Sequence, residues 1–187
     1  MKKNLRRFFL GLFVFTLGVS GLAAAGSAVE DGAYYTKQNI WYEKPMKILS
    51  TNYHKGAILP VGSQVEILKR NKKKIKFRDQ QTGTTFRLVL VKDYTALNEQ
   101  EFFDRYFSNE NVLKGAPYAS FSEMEKENIQ NGTLQKGMSK NAVLMAYGYP
   151  PSHQTPSIKG AMWTYWKSRL VHFMVQFKGD QIDSLDV

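Results

Sequence analysis

The chain has 187 residues, 43% hydrophobic and 22% charged, a balance that excludes a disordered polymer and fits one ordinary domain or two small ones. It contains no cysteine, which excludes disulfides, thiol catalysis and an acylated cysteine anchor. The formal charge of +10 includes Lys2, Lys3, Arg6 and Arg7, so the remainder is only moderately basic, near +6.

Those four cations precede an uncharged run from Phe8 to Ala25 and small residues through Ala28, the layout of a secretory signal peptide over residues 1–28. The pairs Ala23/Ala25 and Gly26/Ala28 both satisfy the small-residue rule for cleavage, and the second is preferred. The run approaches the length of a membrane anchor, but Gly11, Gly18, Ser20 and Gly21 favour export with cleavage.

Residues 29–95 favour strands. Tyr34-Tyr35, Ile40 to Tyr42, Ala57 to Leu59, Val65 to Leu68, Ile75 to Phe77 and Phe86 to Val91 are β-branched or aromatic runs. Gly56, Pro60, Gly62, Arg70-Asn71 and Gln81-Thr82-Gly83 break them at the spacing of a small antiparallel β-barrel or sandwich. The stretch Gly56 to Ile67 resembles the opening of a bacterial SH3-like barrel; another small barrel fits the same pattern.

Residues 96–119 read as a helix and a connection. Asn98 with Glu101 three residues on is a capping box, and Phe102, Phe103, Tyr106 and Phe107 form one apolar stripe. Residues 120–187 then form a second unit. Ser122 with Glu125 opens a helix that Asn131-Gly132 ends; Ser139 opens another that Gly148 ends in a left-handed conformation, before Pro150-Pro151. Residues 161–166, 170–177 and 182–185 are strand-like, with Val171, Phe173, Val175 and Phe177 on one face. The fold class expected is α+β: a small N-terminal barrel, then two helices on one face of an antiparallel sheet.

Gly137-Met138-Ser139, Val143, Ala146 to Pro150, then Trp163, Tyr165 and a terminal Val/Phe strand with a Gly turn resemble the SmpA/OmlA, or BamE-like, domain family over residues 120–187. The resemblance implies a helix-helix-sheet fold that acts by protein contact without catalysis, at the periplasm or outer-membrane periphery. The chain departs from the family's assembly lipoprotein in lacking the anchoring cysteine, in its added β domain and in the loop Pro150 to Ser157.

No nucleophile, base and charge stabiliser gather in the sequence, and His54, His153 and His172 have no metal-ligand spacing, so neither an enzyme nor a cofactor is expected. His172 and the acidic series Asp180, Asp183 and Asp186 read as solvated surface. The candidate partner-binding residues are Trp41 and Tyr42 at the start of the barrel, Lys72, Lys73 and Lys74 in a basic run, His153 in the proline-braced loop, and Trp163 and Trp166 of the aromatic strand. The expected function is that of an exported envelope scaffold or adaptor. The alternative is a module binding cell-wall polymer or anionic lipid head groups; no aromatic residue interleaves the basic run, which argues against nucleic acid.

Overall fold

The computed structural model describes residues 32–51, 53–95 and 97–186; the expected signal peptide lies outside them. Among the described residues no helix is long and apolar enough to cross a membrane. The first unit contains β1 (Ala33–Thr36), β2 (Ile40–Tyr42), β3 (Ile48–Leu49), β4 (Ala57–Leu59), β5 (Gln64–Asn71), β6 (Lys74–Asp79), β7 (Thr85–Val89), α1 (Glu99–Tyr106) and β8 (Phe107–Ser108). The second contains α2 (Glu123–Asn131), α3 (Lys140–Tyr147), β9 (Met162–Trp166), β10 (His172–Lys178) and β11 (Gln181–Asp186). The class is mixed α+β.

Alternation builds the first core. Val65 and Ile67 of β5, Ile75 and Phe77 of β6, and Phe86 and Leu88 of β7 are buried, while their neighbours point outward. The sheet order is β3-β7-β6-β5-β1-β8, and β2 pairs with β4 separately. It curls as an open half-barrel. Two features depart from the antiparallel barrel expected: β3 runs parallel to β7, and the sheet ends at β3 and β8. Helix α1 belongs to the first core, because Phe102, Phe103 and Tyr106 pack with the strands. Its capping box is present, with Asn98 Oδ1 accepting from the Glu101 amide and the Glu101 carboxylate accepting from the Asn98 amide.

The second core joins Ile129, Met138, Val143 and Ala146 of the helical layer to Trp163, Tyr165, Phe173, Val175, Phe177 and Ile182 of the antiparallel sheet β11-β10-β9. Both helix starts are held by one carboxylate. Glu125 accepts from the amide and hydroxyl of Ser122 at 2.9 Å each, and from the amide (2.9 Å) and hydroxyl (2.7 Å) of Ser139. Since Ser122 and Ser139 are the N-caps of α2 and α3, Glu125 places negative charge at two positive helix ends together. Helix α2 stops at Gly132 in the left-handed region, as expected. Gly148 stops α3 differently: its φ of 77° with ψ of −171° is not left-handed helical but belongs to a region that only glycine enters readily. Leu170 and Val171 lie in the β9–β10 turn and are exposed, so Val171 does not join the inward row of β10.

The two cores meet along β2 and the turn after β4. Val61 belongs to the second core. Asn39 is buried: its Nδ2 donates to the carbonyls of Ile129 (2.7 Å) and Ala146 (3.0 Å), and its Oδ1 accepts from the Val61 amide (2.8 Å). It therefore serves the last turns of both helices from outside their own unit.

Candidate binding groove between the two units

Residues 53–55 cross the seam. The His54 amide donates to the Trp166 carbonyl at 3.3 Å, His54 Nε2 lies 2.7 Å from the Tyr147 carbonyl, and Nδ1 lies 3.2 Å from the Trp166 carbonyl. The imidazole stacks on Tyr147 at 3.8 Å and meets the edges of Trp41 and Tyr165. Burial among these rings lowers its pKa to about 4 against the opposing pull of the two carbonyls, so it is neutral at pH 7. Pinning His54 fixes its neighbours, Tyr53 and Lys55, on the rim of an open groove.

One lobe of that groove encloses about 360 Å³ between Trp41, Tyr42, Lys44, Lys47, Leu49 and Tyr53. The second, about 490 Å³, runs on between Tyr53, Lys55, Ser168, Arg169 and Leu170. Glu43 and Lys55 line both and face each other at 3.6 Å, with both side chains mostly exposed; such a pair contributes little and opens readily. The β2–β3 loop that forms one wall is tied down by Arg87, whose amide donates to the Pro45 carbonyl (2.9 Å) and whose Nε donates to that of Met46 (2.8 Å). Lys44, Lys47, Lys55 and Arg169 thus stand against the single carboxylate of Glu43, above aromatic rings and beside Leu170, which is 86% exposed. Chemically this is a surface for an anionic, extended ligand with apolar side chains.

The candidate residues divide into four groups. Trp41 and Tyr42 line the groove, although Tyr42 also closes the first core against Phe86 at 5.0 Å. Trp41 packs at the seam as well: a methyl group on Gly132 would stand 2.8 Å from its Cζ2. Trp166 lies parallel to Tyr53 in an offset stack with ring centres 5.9 Å apart, and His153 meets the edge of Trp166 at 5.2 Å beside Tyr94, so these two form an aromatic extension of the rim. The proline-braced loop is held there by Ser152, whose amide and hydroxyl both donate to the Tyr94 carbonyl at 3.0 Å.

Lys72, Lys73 and Lys74 are exposed at the β5–β6 turn, away from the groove lining. Trp163, expected to bind a partner, is instead fully buried against Phe177 and Tyr165, because the inward alternation of β9 puts it on the core face, and no partner can reach it. Lys44, Lys47, Lys55, Arg169 and Leu170 carry no common signal in the sequence. They are scattered over more than a hundred positions and share no spacing. Among the described residues no three His, Asp or Glu side chains gather as a metal site. No protein-family model, curated protein or solved structure matches the chain.

Proposed function

We propose that this chain is an exported, non-catalytic adaptor of a bacterial envelope whose groove holds an extended acidic segment of a partner envelope protein. The observation that carries this reading is the groove itself: four cations against one carboxylate, above Trp41, Tyr42 and Tyr53, with walls drawn from both units. In this reading the first unit is an opened relative of the SH3-like barrel, and the second is of the SmpA/OmlA type. The layout of residues 1–28 supports export, and the pairing of rings with lysines supports protein contact at the periplasm or outer-membrane periphery.

A photo-crosslinker at Leu170, compared with one at Gln176 on the outer face of β10, tests the reading in intact envelopes. The expected result is crosslinks at Leu170 to acidic, extended peptides of exported proteins, lost when Lys44, Lys47 and Lys55 are changed to Gln. Equal yields at both positions, or crosslinks at Leu170 that survive those substitutions, refute it.

A further inference from the structure

The outer face of the β5–β6–β7 meander carries more charge than the fold uses: Arg87 ties the β2–β3 loop and Arg78 pairs with Glu66, but the lysines form no ion pair among the described residues. Residues opposite in register have Cβ atoms about 4.5–5.5 Å apart, where like charges destabilise a sheet. Lys69 stands opposite Lys76, and Lys76 opposite Arg87. The next row on one side places Lys74 between Asn71 and Val89; on the other, Arg78 stands between Glu66 and Thr85. The β5–β6 turn adds Lys72 and Lys73. Glu66 is the one carboxylate in these rows, and Arg78 engages it at 3.3 Å. Among the described residues, none of the lysines at 69, 72, 73, 74 and 76 forms an ion pair.

A β-bulge builds the central row. The register shifts between Ile67 and Lys69; in a regular ladder Leu68 would face Lys76 and Lys69 would turn toward the core. The extra residue sends Lys69 outward and Arg70 inward, where its guanidinium lies 4.6 Å from the centre of the Phe103 ring. Removing the four N-terminal cations from the formal +10 leaves +6 for residues 29–187. Seven cations and one carboxylate put +6 on this face alone, so the rest of that length is formally neutral.

We propose that this face docks on the anionic head groups of a lipid bilayer. The charges spread in two dimensions, roughly 10 Å across three strands and a similar distance along them. That spread suits a plane. A linear polyanion is tracked by a groove, and neither lobe of the groove is lined by any of these lysines. Phe77 and Phe86 point inward, so these strands offer no ring on which a nucleic-acid base could stack. Unpaired lysines reach a charged surface within a Debye length, about 8 Å at physiological salt. This inference stands apart from the adaptor reading, which uses the groove.

The test measures partition of the full chain onto phosphatidylcholine vesicles with and without about 30% phosphatidylglycerol, for wild type and for K69Q/K74Q/K76Q. Residues 1–28 are common to both proteins, so the comparison isolates the face. A lysine near an anionic surface strengthens binding about fivefold, so the triple variant should lose about a hundredfold on anionic vesicles and nothing on neutral ones. The variant K114Q/K159Q/K178Q removes the same charge from other exposed positions and should lose less than about fivefold. The unfolding midpoint of K69Q/K74Q/K76Q should be unchanged or higher, because repulsion is relieved. Equal losses in the two triple variants, no preference of wild type for anionic vesicles, a lowered midpoint, or tighter binding to soluble polyphosphate than to vesicles at equal phosphate would each overturn the proposal.

Discussion

Replacing Glu125 by Gln tests whether one carboxylate joins α2 to α3. The native group accepts four hydrogen bonds, two from each N-cap serine, at 2.7–2.9 Å. An amide keeps one acceptor oxygen and turns an NH2 group on the donors of the other serine, so about two charge-assisted bonds are lost. At roughly 1.5 kcal/mol each, the low end for bonds to a charged group, the loss is about 3 kcal/mol, with the weakened charge at two helix N-termini adding to it. Burial alone would raise the Glu125 pKa, but the bonds from Ser139 and Ser122 outweigh it and hold the carboxyl below its usual value.

The unfolded chain therefore takes up a proton first. The contribution of Glu125 is complete above about pH 4.5 and is lost as the pH falls through the folded-state value. Urea unfolding at pH 7 and pH 3 measures both consequences: E125Q should lower stability by about 3 kcal/mol at pH 7, and by clearly less at pH 3. A loss under 1 kcal/mol at pH 7, or one as large at pH 3 as at pH 7, would show that the helix pair is held by packing alone.

His54 gives a separate pH window. Its folded pKa of about 4 lies below the ordinary 6.5, so the unfolded chain binds the proton more readily; the contribution, up to about 3 kcal/mol, is present above pH 6.5 and is lost as the pH falls toward 4. An NMR titration of the His54 ring with a midpoint near 6.5 would contradict this, and H54F should flatten stability over that interval. Gly148→Val should cost at least about 1 kcal/mol, since a side chain resists φ 77° with ψ −171°, and an unchanged unfolding midpoint would disprove the assignment of that helix stop.

Strands β5, β6 and β7 are legible because an inward residue alternates with a polar one; the starts of α1 and α2 are legible as local capping pairs, and that of α3 as a lone capping serine. Strands β3 and β8 are only two residues each and exist through pairing with distant partners, which leaves no period to read. The sequence shows Glu125 as the partner of Ser122; its bond to Ser139, fourteen positions away, depends on how α2 meets α3. The bulge at Leu68 is likewise settled by pairing, and so is the outward turn of Lys69. The groove was illegible because its cations come from the β2–β3 loop, the seam and the β9–β10 turn, which only the packing of the two units brings together.

Asn39 has a consequence for how such a chain can change over time. Its amide closes the carbonyl ends of both helices from a position that precedes the second unit by some eighty residues. Glu125 does the corresponding service at the opposite ends. The second unit thus carries its own start clamp and borrows its finishing clamp, so it is not a self-sufficient module. Recombination that moved residues 120–187 to another context would leave two helix ends without their donor, and the halves are bound to be inherited together.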